Sequence, residues 1–501
     1  MLPVTVAPSP ALLGWVLSQR NRNFPYCSFF SPSDIHSPEV MFVSVLLSTT
    51  PILLFGVGLF YILCLRGFYL LHPWRCFKHL FARKTADGIS PFRALTVALA
   101  GTLGVGNIVG VASALYFGGA GAVLWMLVSA LVAMVLKYAE ITLAVRHRRL
   151  SPDGQPMGGA PYYIEDGLSR AGLPRLGKVL AAFFAFLCLS NAITMGSFLQ
   201  INAVAGAMDE GFSLPPLVTG IAVAVLSVLV VKGGAKRISS LTEKLVPFMT
   251  VGFLVACVAV LILRRERIPA ALASIWQDAW DPLTARAGIV GFLMSKGIRF
   301  GVMRGLVSNE AGCGTAPMAH AAANTDSPAR QGLFGLVEVF VDTVLLCTVT
   351  ALCILVSDSG PSAFGEDTVR TAQAAFASVL GDWAGWFFAI SILLFGVATV
   401  ICWAHYGMTC VDYLVKARKG KQAAATVYVI LLAASLVIGA VTTPTLAWNL
   451  ADMAIALMTV VNLSILLLMQ KEVKTETDLL FPPHGEPKKC ISCEGKTIRK
   501  E

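Results

Sequence analysis

The sequence predicts an all-α polytopic membrane protein, and three observations lead to that prediction. Hydrophobic residues make up 56% of the 501-residue chain and charged residues only 14%, with a mean hydropathy of +0.72. A soluble chain needs more polar side chains than this to cover its surface. The apolar residues are also gathered in runs of about 20, the length that an α-helix needs to cross a bilayer. Because these runs are apolar all round, they favour helices over the alternating strands of a membrane barrel.

We expect about eleven transmembrane helices by this criterion. The apolar runs cover approximately residues 44–65, 94–117, 121–145, 178–206, 215–231, 245–263, 286–316, 331–357, 383–414, 423–441 and 446–469. The expected organisation is an N-terminal extension at 1–40, a transmembrane domain at 41–472 and a cytoplasmic polar tail at 473–501. The extension is rich in proline and lacks the apolar run of a signal peptide, so we expect it to be disordered or to precede a start at Met41.

The basic residues indicate how the helices are oriented. Alternate loops, beginning with 66–93 and ending with 470–501, hold 28 Lys and Arg residues, whereas the opposite set holds 7. Positive loops stay in the cytoplasm, which places the N-terminus outside and the C-terminus inside. Arg264, Arg265 and Arg267 are the exception, because they fall on the outer side. The net charge of +10 therefore reports topology and does not indicate a nucleic-acid partner.

The twelve cysteines do not predict a disulfide framework. Most of them lie in or beside apolar runs, where cysteine behaves as a small hydrophobic residue. Cys490 and Cys493 form a single C-x-x-C in the polar tail. A four-ligand metal site usually needs a second pair, so an unstructured tail is favoured over a zinc or redox site.

Glycine interrupts two of the spans. Span two contains the run GTLGVGNIVG at 101–110, and span seven is followed by NEAGCGTAP at 309–317. The two spans are five apart, which predicts two inverted five-helix repeats that each open with a discontinuous helix. This pattern is typical of secondary transporters whose sites lie near the midplane. The alternative is that glycine only permits close helix packing, which we favour for Gly101 and Gly110.

A substrate site is predicted around the interrupted backbone of span two. Unwound N–H groups at Gly104, Val105 and Gly106 can bind a carboxylate. Gln200 follows a run of polar residues in span four, and a buried amide can hold the carboxylate or ammonium of an amino acid. Its alternative role is to bond neighbouring helices. Trp403 can shape the pocket, although membrane aromatics are more often packing or interface residues.

Three further oxygen-bearing side chains are candidates for cation binding. Asn107 offers a hard amide oxygen, with helix capping as the alternative. Thr102 can add a hydroxyl oxygen or bond its own backbone. Thr399 provides a hydroxyl in the ninth span.

Charged residues at membrane depth form a separate group. We expect Lys137 to pair with Glu140, three residues away on the same helix face. Glu338 and Asp342 also share a face, and ion pairing is favoured over a proton relay. The expected basic partners are Arg299, Arg304 and Arg330. Asn309 and Glu310, which follow Ser308, are candidates for a gate or a helix cap.

Several long segments resemble the alanine or glycine:cation symporter family. They are residues 101–148, from GTLGVGNIVG to AVRHR; GGAPYYI at 158–164; SNEAGCGTAPMAHAAANTDSPARQGLFGLVEVFVDT at 308–343; TAQAAFASVLG at 371–381; WAHYG at 403–407; and WNLADMAIALM at 448–458. The resemblance covers residues 41 to about 472 in order.

The resemblance implies import of a small neutral amino acid, alanine or glycine, with sodium or, in some members, a proton. It implies the inverted-repeat fold of sodium-coupled amino-acid transporters in the plasma (inner) membrane, and no cofactor besides the transported cation. Gly104, Gly106 and Gln200 would hold substrate beneath Trp403, and Asn107 and Thr399 would belong to cation sites. Two departures from the family pattern are Val105 in place of threonine and Ala398 in place of a second hydroxyl beside Thr399.

Other functional classes lack their sequence signatures. The chain has no H-E-x-x-H, G-x-S-x-G or G-x-x-x-x-G-K-[ST] motif, which disfavours a zinc peptidase, a serine hydrolase with a nucleophile elbow and an ATP-driven pump. A membrane-embedded enzyme is therefore the weaker alternative to a transporter. A channel would need a symmetric or repeated pore loop, and the sequence has none.

Overall fold

The computed structural model describes residues 38–80, 89–150, 156–280, 296–415 and 418–482, and these ranges are almost entirely helical. A proline lies in the first turn of many helices, where its fixed φ suits the helix and no backbone N–H is lost from the ladder. The helices are α1 Pro38–Cys64, α2 Phe68–Leu71, α3 Pro73–Leu80, α4 Pro91–Thr102, α5 Val109–Gly118, α6 Ala122–Arg146, α7 Ala160–Arg170, α8 Pro174–Ile193, α9 Gln200–Phe212, α10 Pro216–Val231, α11 Gly234–Leu263, α12 Ile268–Ala279, α13 Lys296–Asn309, α14 Pro317–Ala321, α15 Pro328–Val339, α16 Thr348–Val356, α17 Thr368–Leu380, α18 Trp383–Leu414, α19 Arg418–Ala440, α20 Pro444–Leu468 and α21 Gln470–Leu480. Two short strands, β1 Arg149–Leu150 and β2 Pro156–Met157, pair antiparallel.

The predicted all-α membrane fold is confirmed. Eight continuous helical stretches in the described residues are long and apolar enough to cross a bilayer, and α5 and α10 are shorter apolar helices. The eleven crossings and the inverted repeats stay predictions. The boundaries of the domains also stay predictions, with Cys490, Cys493 and most of the N-terminal extension outside the described residues.

Both predicted discontinuous helices are interrupted as the glycine pattern indicates. In span two, α4 ends at Thr102, a turn of 3-10 helix covers Val105–Asn107, and α5 begins at Val109. In span seven, α13 ends at Asn309 and α14 begins only at Pro317. Gly312 and Gly314 in this connection have φ of +89° and +79°, a region that glycine enters without steric cost.

Two other spans contain π-helical segments, which the sequence did not indicate. Residues Thr194–Leu199 connect α8 to α9, and Phe340–Cys347 connect α15 to α16. A π-bulge inserts an extra residue into a helix and is frequent at functional sites. Gln200 and Asp342 lie directly after and within these two segments.

The broken helices are enclosed by longer ones. α6 packs against α13 and α15, while α18 packs against α8, α9 and α4. The middle of the bundle is consequently buried, and it includes a lysine and a glutamate of α6, Lys137 and Glu140, which are both 0% exposed.

One face of the bundle carries a group of ion pairs that we term the face cluster. It consists of Arg146, His147, Arg149, Glu165, Asp166, Arg170, Glu472 and Glu476. These residues belong to the end of α6, to β1, to α7 and to α21. Glu472 Oε2 is the common acceptor, at 2.9 Å from Arg146 Nε and 2.7 Å from Arg170 Nη1. Helix α21 is thereby fastened to the end of α6 and to α7.

Two of the three arginines that contradict the charge rule have a local partner. Arg264 and Arg267 both form ion pairs with Asp358, the latter at 2.8 Å. These ion pairs give the two arginines a local partner, but their place on the predicted outer side stays an exception to the rule, which counts lysines and arginines and not net charge.

Candidate transport site

The interrupted backbone of span two lies directly against α9 and α18. Gln200 Oε1 accepts a hydrogen bond from Val105 N at 3.0 Å. A Cβ atom at Gly104 would lie 2.7 Å from Thr399 Oγ1 and 2.9 Å from Gln200 Oε1, closer than side chains approach. Glycine is therefore required at position 104, because it lets the amide and the hydroxyl reach the backbone. Gly104, Val105 and Gln200, which were predicted for the substrate site, are therefore close together, with Thr399 beside them.

The π-helical segment before Gln200 sets the direction of its amide. Gln200 Nε2 donates to Met195 O at 3.2 Å, so the side chain bonds back to a carbonyl five residues earlier, inside the π-helical segment. The amide oxygen is then turned towards span two. The sequence singled out Gln200 for its polarity but gave no signal of the segment that orients it.

Trp403 links α18 to the connection in span seven. Its indole Nε1 donates to Glu310 Oε1 at 2.8 Å, and Glu310 Oε2 accepts from Thr315 Oγ1 at 2.6 Å. Glu310 has a φ of +54°, which is unusual for a residue with a side chain. Gly196 lies under the indole, since a Cβ there would be 2.4 Å from Trp403. Trp403 therefore connects two of the interrupted or π-helical segments.

Asn107 and Asp342 form the centre of a second group of contacts. Asn107 Nδ2 donates to Asp342 Oδ1 at 2.6 Å and to Ser308 Oγ at 3.0 Å. Asp342 Oδ2 accepts from Ser308 Oγ at 2.9 Å and from Thr343 Oγ1 at 2.6 Å. Asn309 Nδ2 in turn donates to Thr343 Oγ1. These contacts join spans two, seven and eight where each departs from regular helix.

This group has one buried oxygen without a hydrogen bond among the described residues, Asn107 Oδ1. The nitrogen of the same amide contacts the Asp342 carboxylate and the Ser308 hydroxyl, so the group as a whole is rich in hard oxygens. A buried polar atom without a partner is costly, so a ligand that bonds Asn107 Oδ1 would be stabilised there.

The prediction for Lys137 is wrong. Lys137 does not pair with Glu140 but forms an ion pair with Glu338 Oε1 at 3.1 Å and donates to Asn309 O at 2.7 Å. The expected arginine partners of Glu338 are wrong as well, because its second contact is His320 Nε2 at 3.3 Å. The three-residue spacing placed Lys137 and Glu140 on one face, but α13 and α15 pack against that face and bring in other partners.

Glu140 instead supports the connection in span seven. Its Oε1 accepts from Gly314 N at 3.0 Å and from Asn462 Nδ2, and Asn462 Nδ2 also donates to Gly312 O at 2.8 Å. Tyr163 donates to Asn462 Oδ1. Asn462, Tyr163 and His320 were missed by the sequence analysis, because single polar residues in apolar helices carry no spacing signal.

The hydroxyl groups of two predicted cation ligands contact backbone carbonyls of α4 and α18. Thr102 Oγ1 is 3.4 Å from Ala98 O in its own helix, as its alternative reading expected. Thr399 Oγ1 lies 2.9 Å from Ala100 O and 3.0 Å from Phe395 O, and its one hydrogen is shared between these two carbonyls. Thr399 thus holds α4 against α18 through the last turn before the break. The cation roles of both residues stay predictions.

Comparison of the sequence with models of known protein families identifies the family of the chain. Residues 37–481 match the family model described as the sodium:alanine symporter family. The chain belongs to that family. It is therefore an integral, multi-pass secondary transporter.

Curated relatives support this membership over most of their length. The chain is 38% identical over 435 residues to a sodium/alanine symporter, AgcS, of Methanococcus maripaludis, covering 85% of this chain and 92% of the relative. It is 38% identical to an uncharacterized transporter of Haemophilus influenzae, covering 86% and 92%. A probable sodium/glutamine symporter, GlnT, of Bacillus subtilis is 35% identical, with 79% of each chain covered.

A solved structure supports the fold. The chain resembles the transporter MhsT in complex with L-phenylalanine, with a TM-score of 0.56, 15% identity, and coverage of 79% of this chain and 93% of that one. At this level of identity the likeness concerns the arrangement of helices alone.

Proposed function

We propose that the protein imports a small neutral amino acid, alanine or glycine, together with sodium by alternating access. The observation that carries the proposal is the contact between Gln200 Oε1 and Val105 N at the break in span two. It places a buried amide on a backbone N–H group that an amino-acid carboxylate can also use. The name of the sodium/alanine symporter among the relatives agrees with this substrate.

The small size of the substrate is supported by what surrounds this contact. Gly104 leaves no room for a Cβ between Thr399 and Gln200, and the Trp403 ring is 0% exposed against Gly196. A long side chain would have to displace these groups. The smaller the side chain of the substrate, the less these groups have to move, which favours alanine or glycine.

Cation coupling is supported by the group around Asp342. Sodium prefers hard oxygen ligands, and this group contains the Asp342 carboxylate, the Ser308 hydroxyl and the Asn107 amide oxygen, which has no hydrogen bond among the described residues. A cation bound there would bridge spans two, seven and eight. Binding would thus favour the arrangement in which the substrate segment is ordered, which is the physical basis of coupling.

Proton coupling is the second candidate, and one observation favours it. Among the described residues, neither Asp342 nor Glu310 forms an ion pair with a lysine or arginine, although both carboxyl groups are 0% exposed. A buried carboxyl group without a basic partner can exist as the neutral acid, and it can then carry a proton across the membrane.

We further propose that the protein lies in the plasma membrane with its N-terminus outside and its C-terminus in the cytoplasm. The face cluster supports this orientation, because it joins the loop after α6 to α21, and both belong to the lysine- and arginine-rich set of loops. Labelling of single cysteines introduced at exposed Lys471 and at exposed Arg265, in intact and in lysed cells, tests it. Labelling of position 471 in intact cells would contradict the orientation.

The transport proposal is tested in proteoliposomes. Radiolabelled alanine uptake is measured with an inward Na⁺ gradient, with an inward H⁺ gradient and with neither, at the same membrane potential. Sodium coupling is supported by uptake that requires the Na⁺ gradient. Uptake that requires only the H⁺ gradient would replace sodium by a proton and direct attention to Asp342 and Glu310. Absence of gradient-driven uptake of alanine, glycine or serine by folded protein would overturn the substrate assignment.

A further inference from the structure

We propose that α2 and α3 form a binding surface for anionic phospholipid headgroups in the leaflet on the side of the bundle where α21 lies. α1 finishes its apolar run at Cys64, and the chain turns at once through Arg66 and Gly67, which have φ of +58° and +55°. A segment that begins directly after a span lies at the boundary between bilayer and water. Lipid binding to this surface requires neither the substrate nor the cation.

One side of this segment is apolar and exposed. Trp74 and Phe77 are 65% and 48% exposed, and their rings are stacked with centroids 5.6 Å apart. Leu70 and Leu71 are 47% and 69% exposed on the preceding short helix. Tryptophan and other amphipathic aromatic residues favour the headgroup level of a bilayer, so this side fits the leaflet.

The other side is anchored to the protein. Cys76 is buried, α3 packs against α15, and the His79 ring contacts Phe481 edge-on at 5.2 Å. Phe68 packs against Tyr138 of α6 with ring centroids 4.9 Å apart. The segment is therefore held in a fixed position by the bundle, and its exposed side is an outer surface of the folded protein.

The charges on this surface select the kind of lipid. Arg66, Arg75 and Lys78 are exposed, and among the described residues none of them forms an ion pair with a carboxylate. Lys78 Nζ lies 5.9 Å from the centre of the Trp74 ring, so its positive charge stands at the edge of the apolar side. Basic groups at headgroup level attract anionic lipids, each strengthening binding by roughly fivefold.

The same surface is connected to the transport site. α15, which α3 contacts, includes Glu338 and leads into the π-helical segment with Asp342. Lipid bound at α3 would restrain the end of α15 at the membrane boundary. We therefore expect anionic lipid to stabilise the folded protein as well as to bind it.

The experiment follows tryptophan fluorescence of the full-length protein in phosphatidylcholine vesicles that contain increasing fractions of brominated phosphatidylglycerol or brominated phosphatidylcholine. The signal of Trp74 is obtained as the difference from Trp74→Phe. We expect brominated phosphatidylglycerol to quench Trp74 at a mole fraction several-fold lower than brominated phosphatidylcholine does. The triple variant Arg66→Gln/Arg75→Gln/Lys78→Gln should remove this preference, with each lost charge weakening lipid binding roughly fivefold.

A matched control loses the same number of exposed charges elsewhere, in Lys232→Gln/Lys236→Gln/Arg175→Gln, and should keep the preference. Thermal unfolding of all variants verifies that they are folded. Equal quenching by the two lipids would overturn headgroup recognition, and no quenching by either would overturn contact with the bilayer. Concentration-dependent dimers in which Trp74 is protected from both lipids would assign the surface to a second copy of the chain and also overturn the proposal.

Discussion

The group around Asp342 and the face cluster around Glu472 both hold several helices together, but they do so in different surroundings. Asp342 is 0% exposed and satisfied by amide and hydroxyl donors, whereas the side chain of Glu472 is 20% exposed and satisfied by arginines and a histidine. Charges near water are screened and exchange partners at little cost. Charges in the dry interior keep fixed partners, because an unpaired charge there is strongly destabilising. The interior group is thus suited to binding one specific ligand. The face cluster is suited to holding helices together through ion pairs that can exchange.

The largest effect is expected for Asp342→Ala. The change leaves the donors of Asn107, Ser308 and Thr343 without their acceptor in a dry site, which we expect to destabilise the protein by about 3 kcal/mol or more and to abolish alanine uptake. Unfolding in detergent and uptake in proteoliposomes measure the two effects. Asp209→Asn, at an exposed position in α9, is the control and should change neither. Normal uptake by Asp342→Ala would show that the interior group is not needed for transport.

Gln200→Ala is expected to reduce uptake while the protein remains folded. The amide oxygen accepts from Val105 N, and under the proposed function the amide also bonds the substrate. Loss of one hydrogen bond to a charged substrate reduces affinity by roughly tenfold to a hundredfold. Initial uptake rates across a range of alanine concentrations give the change. Gln422→Ala, an exposed glutamine of α19, serves as the comparison. Unchanged uptake by Gln200→Ala would remove Gln200 from the substrate site.

The face cluster should make stability depend on pH near neutrality. Burial disfavours the charged form of His147, but its hydrogen bonds to Asp166 and Glu472 outweigh this and hold the pKa of His147 above 6.5. Burial also opposes ionisation of Glu472, but its hydrogen bonds with His147 and Arg170 lower the pKa of Glu472 to about 2. The contribution of His147 is present below its unfolded pKa and lost as the pH rises through the raised value. That of Glu472 is present above its unfolded pKa and lost only as the pH falls towards about 2.

We therefore expect the melting temperature of the wild type to fall by a few degrees between pH 6 and pH 9. His147→Gln should flatten this dependence, and His72→Gln, at an exposed position, should preserve it. Melting curves of the three proteins in one detergent measure it. An equally steep curve for His147→Gln would mean that the face cluster does not respond to pH through this residue.

The smallest effect is expected for Ala398→Ser. It adds a hydroxyl group beside Thr399 in the dry interior, and an added oxygen ligand should lower the sodium concentration for half-maximal uptake by roughly threefold. Sodium titrations of alanine uptake measure the shift. Ala389→Ser adds the same group elsewhere on α18 and should produce no change. An unaltered sodium response of Ala398→Ser would place position 398 away from the ion.

The sequence was sufficient for features that depend on local composition. Long apolar runs predicted the membrane helices, and the glycines around Gly104 and Gly312 predicted both interruptions, because only glycine allows such close approach and such backbone angles. Gln200 and Asn107 could be selected for their polarity alone. These features are properties of short segments, and they are visible without knowledge of the neighbouring helices.

Features that depend on which helices meet were not predictable. Lys137 and Glu140 have the spacing of an intrahelical pair, but packing of α13 and α15 against α6 supplied Glu338 to one and the backbone of Gly314 to the other. The π-helical segments were missed for a related reason. The extra residue they insert is accommodated by tertiary contacts and has no signature in hydrophobic periodicity.

The close contact between Gly196 and Trp403 has a consequence for selectivity under the proposed function. The indole has backbone on one side and is hydrogen-bonded at its nitrogen to Glu310, so it can neither retreat nor turn. If Trp403 covers the substrate as proposed, its position is fixed by the main chain at Gly196 and by the hydrogen bond to the Glu310 side chain. A broader substrate range would then require a substitution at position 403 itself. A larger residue at position 196 would displace the indole and change the shape of the substrate site.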